Sequence, residues 1–152
     1  GAQALGCSPI VEAWERQSFN IKPQKPNTIA KSLAIGNPAD GYHALKVMTQ
    51  SGGHAVAVSD DEVVEGIRLL AETEGIFAET AGGVVVAGLR RLVQEGRVDP
   101  QELVVAFITG AGLKTQEAVA PRLQPALAVQ PTIASFEEAL SERTGALPAT
   151  RK

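Results

Sequence analysis

The stretch Val104-Val105-Ala106-Phe107-Ile108-Thr109-Gly110-Ala111-Gly112-Leu113-Lys114-Thr115, written VVAFITGAGLKT, decides the fold class. From Leu103 to Ile108 the run is continuously apolar, as in a strand covered on both faces of a parallel sheet. The glycines after it also raise a second reading, a phosphate loop, which the spacing removes. A P-loop sets Lys and then Ser or Thr directly behind its last glycine, so that backbone N–H groups wrap the phosphates. Here Leu113 separates Gly112 from Lys114, and Gly110-Ala111-Gly112 offers too few inward-facing amides. The position still matters. In open parallel sheets ligands collect beyond the carboxyl ends of strands, and Thr109 is the first polar residue at such an end. Its hydroxyl makes one hydrogen bond that suits a neutral ring nitrogen; the alternative is a threonine closing its strand on local backbone.

Working outward, strands and helices alternate. His54–Val58, HAVAV, has strand character and runs into Ser59-Asp60-Asp61-Glu62, a capping box with an acidic first turn. Val63, Ile67 and Leu70 then recur at helical spacing up to a stop at Gly75. Ile76-Phe77-Ala78 reads as a brief strand, and Thr80 to Glu95 as a helix ended by Gly96, although Val84-Val85-Val86 favours strand locally. Upstream, residues 7–17 suit a helix with Ser8 as N-cap, Pro9 at its first position and Glu12 approaching a capping arrangement. Ser18–Pro26 is a loop, and Gly36-Asn37-Pro38 a turn. Asp40 is placed to cap a helix that ends near Gly52-Gly53. The repeated β-α order makes the class α/β, part of an open, mostly parallel sheet flanked by helices. Residues 1–120 form the main domain, and 121–152 a tail carrying Pro125, Pro131 and Pro148, with a last short helix at Phe136–Leu140.

Composition excludes several functions. With 152 residues and 44% hydrophobic content the chain can bury one core. A net charge of -3 lacks the basic footprint of nucleic-acid binding, and a lone Trp14 and Tyr42 make no base-stacking platform. No apolar run approaches the roughly 18 residues of a membrane span. The one cysteine, Cys7, cannot pair within the chain and reads as a small buried residue, so a cytoplasmic setting is expected. The start, GAQALGCSPI, has no signal-type core and reads as a chain beginning in the middle of something. His43 and His54 lie outside any second ligand pattern, so no metal is expected.

Glu79-Thr80-Ala81-Gly82-Gly83-Val84 is the other marked stretch. A carboxylate before a helix start, with two glycines that admit another backbone or a flat ligand, lines a pocket on one reading. On the other it is a capped helix with glycine packing contacts.

Both stretches together resemble a known family. ETAGGV, then a strand ending in ITGAGLKT with its Gln-Glu-Ala-Val continuation, is similar to the C-terminal part of the threonine synthases, fold-type-II pyridoxal-phosphate enzymes. Gly1-Ala2-Gln3-Ala4 with Gly6-Cys7-Ser8-Pro9-Ile10, Thr28-Ile29-Ala30 with Ala34-Ile35-Gly36-Asn37-Pro38, and the Ser-Asp-Asp-Glu helix start follow in the family's order, so the resemblance runs from Gly1 to about Phe136. It implies pyridoxal 5'-phosphate as cofactor and conversion of O-phosphohomoserine and water to threonine and phosphate, the cofactor acting as electron sink. It carries Thr109 over as the partner of the cofactor's pyridine nitrogen, and Glu79, Thr80 and Gly110 as pocket-lining. Ala111 departs from the His or Asn common between the two glycines, so a role for that side chain is not carried over.

The resemblance also implies what lies elsewhere. The family's Schiff-base lysine, its cofactor-side asparagine and its phosphate-holding glycine loop fall upstream of the GAQA segment. Lys46 on an ordinary helix and Lys114 after the turn read as solvated lysines rather than substitutes. The expectation is therefore a C-terminal portion with no catalytic residue of its own, inactive alone, whose unpaired strands invite the missing N-terminal portion, a partner chain or self-association into a homo-oligomer. Open beside it stand a noncatalytic small-molecule-binding or interaction domain and the related threonine dehydratase and cysteate synthase.

Overall fold

A computed structural model describes residues 1–122 and 127–145. At its centre strand β1 (Ala2–Ala4) runs parallel to strand β2 (Val56–Val58), with Ala2 opposite Val56 and Ala4 opposite Val58. Between them in the chain come helices α1 (Pro9–Glu15) and α2 (Gly41–Ser51); after them come α3 (Asp60–Glu74), α4 (Thr80–Gln94) and α5 (Ile133–Thr144). The class is α/β, a small parallel sheet flanked by helices. The chain divides into two compact units, Gly1–Val119 and Ala120–Lys152.

The core of the first unit is aliphatic and small: Ala4, Val56, Val58, Val63, Val64, Ile67, Val84 and Ala87 form one buried cluster with Ala30 and Val119. Crossing of α3 and α4 is possible because each offers a glycine at the contact. A β-carbon on Gly83 would stand 2.5 Å from the Val63 carbonyl oxygen. Of the two glycines in the ETAGGV stretch, this one serves helix packing.

Local capping explains the helix boundaries. Ser59 closes a complete capping box: its Oγ accepts from Glu62 N–H at 3.3 Å, and Glu62 Oε2 accepts from Ser59 N–H at 2.8 Å. Glu62 Oε1 pairs with the Arg91 guanidinium of α4, which also donates to the Ala57 carbonyl at β2. Partial burial would push the Glu62 carboxyl up, but the Ser59 N–H, the Arg91 guanidinium and the Ser59 hydroxyl outweigh it and hold the carboxyl below its ordinary range. Asp60, the first residue of α3, anchors the irregular segment between α1 and α2. It accepts from Thr28 Oγ1 at 2.5 Å and from Ile29 N–H at 3.1 Å.

Several expectations need correction. Leu103–Ile108 forms no strand among the described residues, and Leu103, Val105 and Phe107 are 94%, 70% and 75% exposed. A parallel strand needs neighbours at its edges and cover on both faces, and among the described residues the sheet consists of β1 and β2 alone. Ile76-Phe77-Ala78 shrinks to one antiparallel bridge between Ala78 and Ala111, because the turn after Ile108 is all it meets. Ser8 and Asp40 occupy N-cap positions without a side-chain cap bond. For α1 the acceptor comes from β1 instead, Gln3 Oε1 taking the N–H groups of Ile10 and Val11 at 2.9 and 3.0 Å. Glu12 pairs with Arg16 rather than capping. The helix expected at Phe136–Leu140 is the centre of the longer α5 in the second unit, capped by Thr132 Oγ1, which accepts from Ser135 N–H. Pro125 and Pro148 lie outside the described residues.

Candidate functional site

Gly75 ends α3 with φ 68°, and the chain then passes through Phe77 and Ala78 to the start of α4. Across from this passage lies the turn Gly110–Thr115, joined to it in register. Glu79 N–H donates to the Gly110 carbonyl at 3.0 Å, Gly112 N–H to the Phe77 carbonyl at 2.9 Å, and Thr80 N–H to Thr115 Oγ1 at 3.1 Å. Two segments 35 residues apart are thus clamped by backbone and hydroxyl together.

The clamp brings together the residues singled out from sequence. The Glu79 carboxylate lies against Gly110, in the space a β-carbon there would fill, and Glu79 is 8% exposed. Thr109 stands immediately before Gly110, with its residue exposed. Thr80 is fully buried, and its Oγ1 has no hydrogen-bond partner among the described residues. A buried hydroxyl without a partner loses its hydration uncompensated. Gly82 packs against Ala78 and Ile108, which ties the end of the apolar tract to α4.

The sequence reading assigns Thr115 no role, and no local signal reveals one, because its partner is distant in the chain. Lys46 and Lys114 are exposed, and Lys31 Nζ donates to the Thr28 carbonyl at 2.8 Å. Among the described residues no three His, Cys, Asp or Glu side chains stand together to hold a metal. Among the described residues no helix is long and apolar enough to cross a membrane. Cys7 is fully buried, and burial pushes its thiol up, away from the nucleophilic thiolate.

A cavity of about 580 Å³ lies away from this cluster, walled by Trp14, Phe19, Leu45, His54, Leu92 and Arg97. His54 and Ala55 precede β2, so the cavity sits at the amino end of that strand. Ligands in parallel α/β folds gather at the opposite end, and none of Glu79, Thr80, Thr109 or Gly110 lines it.

Comparison with known proteins supplies the family. Residues 1–110 match the family model described as pyridoxal-phosphate dependent enzyme. The chain is 47% identical over 119 residues to a threonine synthase of Methanocaldococcus jannaschii, covering 78% of this chain and 29% of that protein. It is 38% identical over 141 residues to the threonine synthase of Methanosarcina acetivorans, covering 92% of this chain and 35% of that one. A Bacillus threonine synthase is 44% identical over 114 residues, 75% of this chain and 30% of the relative. The chain thus spans about a third of the length of the curated relatives it matches. With the model matched across most of its length, through both β1 and β2 and up to Gly110 in the clamp, the chain belongs to the pyridoxal-phosphate dependent enzyme family.

Proposed function

We propose that this chain forms the C-terminal part of a threonine synthase acting on O-phosphohomoserine, and that the cofactor ring stands beside Thr109, Gly110 and Glu79. Identity of 38–47% to proteins named threonine synthase, over three quarters or more of the chain, carries this reading.

The residues of the clamp fit one side of a flat pyridine ring. Gly110 has no side chain, which lets the Glu79 carboxylate lie against it, and Thr109 offers a neutral hydroxyl that accepts or donates one hydrogen bond. Pyridoxal 5'-phosphate, when bound, supplies the electron sink for carbon-acid chemistry at an amino acid. Thr109 sets how much charge that sink takes, since a neutral partner leaves the ring nitrogen less protonated than a carboxylate would. Glu79, shielded by the clamp, lines the ring's edge, and the orphaned Thr80 hydroxyl beside it stiffens the start of α4 once a partner reaches it.

The Schiff-base lysine and the cofactor-phosphate loop lie in the part of the relatives that this chain does not cover, and the chain is inactive without it. The same part covers the exposed tract Leu103–Phe107, pairing with it as a parallel strand, in the same polypeptide or as a separate chain. A cytoplasmic setting fits a biosynthetic enzyme of this kind.

Complementation tests the reading. The chain is mixed with a polypeptide corresponding to the uncovered part and with pyridoxal 5'-phosphate. A bound-cofactor absorption band and phosphate release from O-phosphohomoserine are expected; neither band nor release would overturn the proposal. In the active complex Thr109→Val should change the cofactor spectrum and lower turnover while leaving folding intact.

A further inference from the structure

The residue at the N-cap of a helix ordinarily turns its side-chain oxygen back onto the N–H of the second or third helical residue. Glu79 holds that position in α4 with extended backbone, φ -68° and ψ 172°, yet its side chain makes no cap bond. The first helical N–H, that of Thr80, goes to Thr115 Oγ1. Thr115 is held on both sides: its N–H donates to the Gly112 carbonyl at 3.0 Å, and its carbonyl accepts from Ala118 N–H at 3.0 Å. Its hydroxyl is therefore delivered to α4 by a fixed backbone.

A helix start attracts a carboxylate, both through its open amides and through the partial positive charge of its dipole. Glu79 makes no such bond and keeps its carboxylate against Gly110. We propose that Thr115 is a positioning residue for Glu79: its bond to the first amide of α4 fixes the turn Gly110–Thr115 against the helix start, so that Gly110 stays beside the Glu79 carboxylate. The functional value of this arrangement rests on the cofactor reading above; the arrangement itself does not. A neutral hydroxyl suits the task, because it occupies the amide without adding a second negative charge next to Glu79.

The test needs no cofactor, so its failure is distinct from a failure of complementation. In the isotopically labelled full chain, nuclear Overhauser contacts between the Glu79 side-chain protons and the Gly110 α-protons are expected. Thr115→Val should abolish them as the turn parts from the helix start, and Thr115→Ser should restore them. A folded Thr115→Val chain with the contacts of the unsubstituted protein would overturn the proposal. Should Thr115→Val not fold, hydrogen exchange in the unsubstituted chain decides: the Thr80 amide should exchange at least about tenfold more slowly than that of Ala81. Equal rates would overturn it.

Discussion

Gly66 of α3 and Gly83 of α4 meet backbone to backbone: a β-carbon on Gly66 would stand 2.5 Å from the Gly83 carbonyl oxygen. Neither partner is the end of a flexible side chain, so a methyl group there forces the helices apart. Gly66→Ala should destabilise the first unit by about 1–3 kcal/mol despite its better helix propensity. The urea midpoint of unfolding checks this, and an unchanged or higher midpoint would show that the helices slide freely.

Glu62 makes stability depend on pH. Its carboxyl is held below the ordinary range in the folded chain, so its contribution is fully present above the unfolded value and is lost as pH falls through the folded one. Glu62→Gln should therefore flatten the acid side of the stability curve while leaving its shape near neutrality. The pair with Arg91 is partly exposed, at 40% and 34% side-chain accessibility, so the change should be modest and shrink with added salt. Thermal melts across the acid range would show it.

Gly110→Ala separates folding from pocket geometry. The atoms nearest to the added methyl are those of the Glu79 carboxylate, the end of a flexible side chain that can swing aside. Stability should fall by less than about 1 kcal/mol, whereas cofactor affinity in the complemented enzyme should drop. Equal affinity for both proteins would remove Glu79 from the ring's edge.

Exposure of Val105 and Phe107 leads to an opposite pair of effects. Phe107→Lys should leave the unfolding midpoint of this chain unchanged and reduce its self-association, since a charge blunts an open edge. The same substitution should abolish complementation. Light scattering and the activity assay read the two effects separately.

Gln17 follows α1 with φ 51°, a left-handed backbone that favours glycine. It is exposed, so Gln17→Gly should raise stability by about 1 kcal/mol. A lower melting temperature would mean the side chain is needed where it stands.

Much of this fold was legible because its signals are local. Ser59 to Glu62 spell a cap within one turn, and Gly75 spells its end, so α3 follows from adjacent residues. In α4 three consecutive valines argue for strand, but Val84 with Ala81, Ala87 and Gly88 makes a small-residue stripe that packs as helix. β1 escapes notice because Ala-Gln-Ala lacks β-branched residues and is made a strand by β2 beside it. The tract at Leu103–Ile108 misleads for a related reason: apolarity states that side chains need cover and is silent on which polypeptide provides it. Within the candidate site, Thr109 and Glu79 carry a family pattern, whereas Thr115 acquires its role only when the fold brings it to Thr80.

Cys7, at the end of the turn after β1 and fully buried, is the chain's one thiol. Its N–H closes onto the Ala4 carbonyl at 2.9 Å, so no reagent reaches the sulfur until that turn parts from the core. The rate at which a thiol-specific dye reacts is consequently a clock for opening of the first strand, built in without any engineered label. If the uncovered part of the relatives docks on this unit, the clock should slow when it is added, and binding becomes visible in a protein that has no colour of its own.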